Sequence, residues 1–221
     1  MNTEIKKIAA WSYSRYSTYL QCPLKAKLKF ILKMEEPTSK AMSRGTDIHE
    51  KAEEYLLHGG ALPEELRKFE ANFVALKDGG VQCEVEWTFT SDWKPTGWFA
   101  PDAWVRVKAD AVRYVEHEKS VLIIDFKTGK TNADHARQLH LYSLAASLTY
   151  PNAETFISQL WYIDSGKIVE KSYTLEDIQY AAALWEDSTL PMLSDTVFSP
   201  KPGFYCRWCH FRKENGGPCE V

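Results

Sequence analysis

The stretch Lys108–Lys130, KADAVRYVEHEKSVLIIDFKTGK, decides how this chain folds. Val121-Leu122-Ile123-Ile124 is a continuous run of β-branched and aliphatic residues, the pattern of a strand buried on both faces. It closes in Asp125-Phe126-Lys127, where residues two apart share a face, so Asp125 and Lys127 point together and Phe126 points away. Trp104 to Val115 alternates as the preceding strand and carries Asp110. A hairpin turning symmetrically about His117 and Glu118 sets Asp110 across from Asp125, within reach of a cross-strand contact. Two carboxylates that close repel unless a positive group lies between them, and a divalent cation together with Lys127 meets that need. Gly129 allows a sharp turn or a close backbone approach just beyond. The rival reading is a surface hairpin with an ordinary ion pair. Against it, Asp125 ends the most apolar strand of the chain, where an unpaired carboxylate is costly.

Outside this hairpin, the 221 residues suffice for one domain with a full core. A hydrophobic fraction of 44% makes the chain globular, and a net charge of −3 excludes a generally basic nucleic-acid binder, so any DNA contact falls to a local patch. No apolar run reaches membrane-spanning length, and MNTEIKKIAAWSYS at the start has no signal-peptide core. An intracellular (cytoplasmic), reducing setting without membrane contact is expected. There, five cysteines suggest metal or cluster binding more than disulfides. The chain has no internal repeat and no GxxxxGK[ST] phosphate loop.

In chain order, Ser12, Ser14 and Ser17 are candidate caps of a helix to about Leu32, interrupted at Cys22-Pro23. Lys25, Lys27, Lys29 and Lys33 form a basic patch, either a solvated face or a phosphate contact. Ser43 or Thr46 caps a second helix to about Leu57, with Gly45 at its start and His49 in its first turns. Leu62 to Leu76 reads as a third helix. Cys83 to Thr90 reads as a strand with Glu84 and Glu86 on one face and Cys83, Val85 and Trp87 on the other, which makes Cys83 a buried thiol. Ser91 to Pro101 is a loop. Ala133 to Thr149 is expected to be helical, with Gln138 and Tyr142 four apart on one face. Two strands follow, Thr155 to Ile163 and Lys167 to Tyr173. A helix over Leu175 to Leu190 opens on the capping box Thr174-Leu175-Glu176-Asp177. Near the end, Cys206-Arg207-Trp208-Cys209 places two thiolates around one metal, and Cys219 supplies a third. Cys22, Cys83 and His210 are candidates for the fourth ligand, a Cys₃His zinc site with His210 among them.

Gly45-x-x-x-His49, Asp110, Asp125-x-Lys127 and Gln138-x-x-x-Tyr142, in that order, resemble the PD-(D/E)XK nuclease superfamily in its RecB-like branch. Cys22-Pro23 with three cysteines at the other end is similar to the iron–sulfur exonucleases, including the CRISPR-associated four-cysteine exonucleases and the nuclease domain of AddB-type proteins. The resemblance covers nearly the whole chain. It implies an α/β restriction-endonuclease-like core: one nuclease domain over 1–221, a central mixed sheet flanked by helices, and a small cysteine-cluster region formed by 12–33 and 198–221. It further implies a [4Fe–4S] cluster on Cys22, Cys206, Cys209 and Cys219, with Zn²⁺ as the alternative. Mg²⁺ or Mn²⁺ would be held by His49, Asp110, Asp125 and the Phe126 carbonyl. Lys127 would act on the attacking water, and Gln138 and Tyr142 would position DNA and lysine. Glu84 and Glu86 stand on a neighbouring strand and are left out of this set.

The expected activity is metal-dependent DNA exonuclease action on single-stranded or frayed ends, 5′ to 3′. The setting would be recombination, repair, phage replication or CRISPR adaptation, with a protein partner from one of these. Its rivals are an endonuclease on the same core, a DNA-binding module with a relic site, and a zinc-stabilised scaffold.

Overall fold

The structure, a computed structural model, describes residues 7–131 and 135–221. Five strands form one sheet in sequential order: β1 Gln82–Phe89, β2 Val105–Val115, β3 Ser120–Lys127, β4 Thr155–Tyr162 and β5 Lys167–Thr174. All neighbours are antiparallel except β3 and β4, which run parallel. A parallel pair needs a crossover, and α5 (His135–Thr149) supplies it. The remaining α-helices are α1 Tyr13–Gln21, α2 Pro23–Ala26, α3 Lys40–His58, α4 Glu70–Asp78, α6 Leu175–Ile178 and α7 Ala181–Ser194. The mixed, helix-flanked sheet is the α/β architecture expected from the sequence.

Each face of the sheet has its own core. Val121 and Ile123 of β3 pack with Tyr16, Leu139, Tyr142 and Trp185, on the side of α1, α5 and α7. Ile124 and Phe126 pack with Ile48, Tyr55, Phe73 and Trp161, on the side of α3 and α4. The apolar run of β3 is explained by this arrangement, since its alternate residues enter different cores. Phe73 is fully buried between Tyr55, Phe126 and Trp161, with ring centroids 5.3–6.1 Å away. Phe73→Ala is expected to cost about 3–5 kcal/mol, through lost burial plus an unfilled cavity. Urea unfolding at fixed pH checks this, as a lower midpoint at unchanged slope.

Several elements depart from the sequence reading. Ser12 is the cap of α1, accepting from Arg15 N at 3.4 Å, and Pro23 takes the first position of α2 after the break at Cys22. That segment ends in a π-helical turn, Lys27–Ile31. Helix α3 starts at Lys40, capped by Ser39, because the extended backbone at Ser39 lets its Oγ reach Met42 N at 3.2 Å. Ser43 and Thr46 lie inside the helix and donate to the carbonyls four residues back. His49 is therefore mid-helix rather than in the first turns. The span Leu62 to Leu76 divides into a 3₁₀ segment, Glu64–Phe69, and α4, a break that stacks the Phe69 ring on Trp161 at 5.1 Å. Leu175 to Leu190 also divides, at Gln179-Tyr180, while its capping box forms as expected. The expected helix start at Ala133 lies outside the described residues. No described helix is long and apolar enough to cross a membrane.

Candidate active site

The hairpin sets the register. Ala111 pairs with Ile124, Val112 with Ile123 and Val115 with Ser120, so the next position brings Asp110 opposite Asp125. On the other side of β2, Cys83 pairs with Ala111 and Val85 with Ala109, leaving Glu84 alongside Asp110. Three carboxylates thus form one row across β1, β2 and β3. Glu84 has φ +52°, the left-handed region that non-glycine residues seldom occupy. The alternation of side chains inverts at this row. Val107 and Ala109 face one core and Ala111 the other, and Cys83 is on the opposite side from Val85 and Trp87. That corrects the single shared face expected for Cys83, Val85 and Trp87. The turn of backbone at Glu84 is the physical reason, because a regular strand would keep all three together.

Around this row the side chains interlock. His49 Nδ1 lies 3.1 Å from Asp110 Oδ1, and Asp110 Oδ2 accepts from the Phe126 N–H at 2.5 Å. Asp125 is 5% exposed. Its Oδ1 accepts from the Tyr142 hydroxyl and, at 3.3 Å, from Gln138 Nε2, and Gln138 also donates to the Tyr142 oxygen at 2.6 Å. Gln138 and Tyr142 are one helical turn apart on α5, which faces this end of β3. The Lys127 ammonium is 2.5 Å from Asp125 Oδ2, as an ion pair without hydrogen-bond alignment, so that buried oxygen accepts no hydrogen bond. Lys108 closes an ion pair with Glu84 and lies 3.9 Å from Glu86.

The electrostatics follow from this crowding. Burial, then the charge of Asp125, raises the Asp110 pKa, against the opposing pull of His49. For His49, burial disfavours the charged ring most, yet the hydrogen bond and charge of Asp110, with Asp125 behind it, leave its pKa raised. Burial and the two nearby aspartates push Tyr142 well above the usual phenol range, so it stays a hydroxyl donor. Burial, with Glu53, Glu84 and Asp110, lifts Cys83 to about 11, so its thiol stays protonated at neutral pH.

A divalent cation fits these groups. Ligand atoms of His49, Glu84 and Asp110 all lie within 4.8 Å of one another, and Asp125 brings a buried oxygen that lacks a hydrogen bond. Carboxylates with one imidazole suit Mg²⁺ or Mn²⁺.

The model of the PD-(D/E)XK nuclease superfamily matches this sequence over residues 10–100 and 75–213. The chain belongs to the PD-(D/E)XK nuclease superfamily. No curated protein matches it. Among solved structures, one from Eubacterium rectale, named as a candidate exonuclease, aligns with a TM-score of 0.52 at 14% identity, over 94% of this chain and 87% of that one. At that identity the likeness is one of fold. A protein named SSO0001 aligns over 99% of this chain and 91% of its own, at 18% identity and a TM-score of 0.41.

Within this PD-(D/E)XK chain, the expected residues gather at one end of the β2–β3 pair, with His49 on Asp110 and with Lys127, Gln138 and Tyr142 on Asp125; the Phe126 N–H joins Asp110 to β3 and its ring is buried. Glu84 joins them, although the sequence reading set it aside. Its signal was present as an acidic residue on the strand before Asp110, but a strand in isolation does not say which neighbour it pairs with. Gly45 approaches from α3, where an added Cβ would lie 3.4 Å from Thr128 Oγ1. Gly129 takes φ +91°, and its N–H donates to Asp164 Oδ2 at 2.7 Å, tying down the loop after Lys127.

The cysteines lie apart from this centre. Cys22, Cys206, Cys209 and Cys219 line one cavity of about 470 Å³ and are all free thiols. Gly217 is needed there, because a Cβ would come within 2.2 Å of the Phe211 carbonyl, and Cys219 N donates to that carbonyl oxygen at 2.8 Å. Among the described residues, no three of these sulfurs and His210 lie within 4.8 Å of one another. The basic patch is partly neutralised, since Lys25 and Lys29 both pair with Glu36.

Proposed function

We propose that the chain is a divalent-metal-dependent DNA exonuclease, hydrolysing phosphodiester bonds at single-stranded or frayed ends in the 5′ to 3′ direction. The single observation that carries this reading is the meeting of His49, Glu84 and Asp110 beside buried Asp125 and its ion-pair partner Lys127. The likeness to the Eubacterium rectale structure, itself named as an exonuclease candidate, supports the exonuclease part.

His49, Glu84, Asp110, Asp125 and the Phe126 carbonyl would hold Mg²⁺ or Mn²⁺. When bound, the cation supplies charge neutralisation at the scissile phosphate and acidifies a water. Lys127 positions the attacking water or helps to deprotonate it, and stabilises charge growing on the phosphoryl oxygens. Tyr142 and Gln138 act through Asp125, holding its carboxylate in one orientation with two hydrogen bonds. Both are positioning residues.

The reading also assigns residues 12–33 and 198–221 to one cluster region within a single nuclease domain spanning 1–221. It puts a [4Fe–4S] cluster on Cys22, Cys206, Cys209 and Cys219, which line one cavity, with Zn²⁺ as the alternative. The proposed role is structural, joining the first helices to the tail. The proposed site of action is the cytoplasm, beside a partner from recombination, repair, phage replication or CRISPR adaptation.

The experiment is digestion of end-labelled linear and circular single-stranded DNA with Mg²⁺ or Mn²⁺. Shortening from the 5′ end of the linear strand, with circles left intact, is the expected result. Cutting of circles replaces the exonuclease with an endonuclease, and intact DNA under both metals removes the catalytic reading. Protein purified without oxygen is expected to be brown, and iron and sulfide in equal amounts are expected on analysis. Zinc in their place overturns the cluster.

A further inference from the structure

A second cavity, of about 350 Å³, opens beside the catalytic group, with Gln138 and Tyr142 in one wall. Its other walls bring two arginines together. Trp11 runs alongside the start of β2, with Trp11 N donating to Trp104 O and Arg106 N to Trp11 O, each at 2.8 Å. This stitch sets the first turn of α1, with Arg15, against the Arg106 side chain.

Neither guanidinium has a carboxylate partner among the described residues. Arg15 donates to the Ala10 carbonyl and lies over Phe30, and Arg106 lies over Trp98 and Phe99. Arg106 Nε is buried and makes no hydrogen bond. Burial, and then the charge of Arg106, lowers the Arg15 pKa, which records two like charges facing one space. Lys108 at the rim is already paired with Glu84. Two uncompensated cations and an unused buried donor call for an anion. Phe99, 89% exposed beside Arg106, offers a flat apolar face of the kind on which a base stacks.

We propose that this cavity binds a phosphate of the DNA strand next to the one being cut, through Arg106 and Arg15. The inference rests on the nuclease reading for its substrate and names how that substrate is gripped. The phosphate is either the 5′-terminal monoester or an internal diester. Both present the same oxygens to the arginines.

The test is fluorescence anisotropy of a 3′-labelled single strand in EDTA, for wild type, Arg106→Gln, Arg106→Lys and Lys119→Gln, with melting temperatures alongside. Lys119 pairs with Glu154 at the far end of β3 and controls for loss of one charge. Arg106→Gln is expected to weaken binding about tenfold and lower the salt slope by about 0.7. Arg106→Lys is expected to keep the slope, and Lys119→Gln to match wild type. Affinity of Arg106→Gln within twofold of wild type, or an equal loss in Lys119→Gln, overturns the site. Should Arg106→Gln fail to fold, inorganic phosphate decides: it must displace the wild-type strand better than chloride at equal ionic strength, and equal displacement overturns the site. A loss confined to 5′-phosphorylated strands identifies the terminal monoester. An equal loss with 5′-hydroxyl and circular strands identifies the diester. Because no divalent metal is present, a wild type that shows this pattern but never cuts DNA removes the nuclease reading alone. One that cuts DNA and shows no dependence on Arg106 removes the phosphate site alone.

Discussion

Lys127→Ala is expected to reduce DNA cleavage about 10³-fold, the middle of the range for a lost proton-transfer and charge-stabilising group. That corresponds to about 4 kcal/mol at the transition state. The ammonium is 2.5 Å from Asp125 Oδ2 and its side chain is 21% exposed, so it is held at the mouth of the site rather than within a core. Its removal leaves Asp125 Oδ1 bound by Tyr142 and Gln138 but strips buried Oδ2 of its counter-charge, so a lowered melting temperature is expected alongside the kinetic loss. The measurement is single-turnover digestion at saturating Mn²⁺, which separates chemistry from product release. A loss below tenfold would make Lys127 only the counter-ion of Asp125. The rate is also expected to respond to Lys127→Arg, which keeps the charge but spreads it over a planar guanidinium in place of the compact ammonium. Recovery by that variant would assign the residue to charge stabilisation alone.

Glu84→Gln is expected to raise the Mn²⁺ concentration needed for half-maximal binding by at least about tenfold, since even supporting residues of metal ligands cost 10–100-fold when changed. The substitution keeps the shape of the side chain at φ +52° and removes the charge that completes the row with Asp110. Calorimetric titration of Mn²⁺ into the protein without DNA reads this directly. Glu86→Gln serves as the comparison, because Glu86 is outside the three-residue group and lies only 3.9 Å from Lys108. Equal affinities for wild type and Glu84→Gln would return the metal site to Asp110, Asp125 and His49. The two experiments are independent, since one reads the chemical step and the other the metal alone.

Much of this centre is readable from local pattern. Val121 to Ile124 announces a strand buried on both faces, and Asp125-x-Lys127 announces two charges on one side of it, because strand geometry alternates side chains whatever the surroundings. The hairpin is short enough that its symmetry alone predicts Asp110 opposite Asp125, the register in which the strands pair. Gln138 and Tyr142 are legible as one helical face for the same reason: a spacing of four is a property of the helix itself.

Other features depend on what lies far away in the chain. Ser39, not Ser43 or Thr46, starts α3, since several good caps in a row compete and packing of Ile48, Ala52 and Tyr55 on the sheet selects among them. Cys83 changes sides from Val85 through the left-handed backbone at Glu84, a conformation no propensity favours, and it persists where two strands and their cores meet. The pairing of Arg15 with Arg106 has no local signal at all. It arises because Trp11 docks alongside β2, about ninety residues later, and carries the first turn of α1 with it. Periodicity along the chain therefore determines the strands, the helices and the hairpin that bears the two aspartates, because each depends on neighbours within a few residues. The membership of Glu84 in the metal-ligand group and the facing arginines are decided only when distant segments pack, because their geometry is set by contacts between strands and helices that no single segment contains.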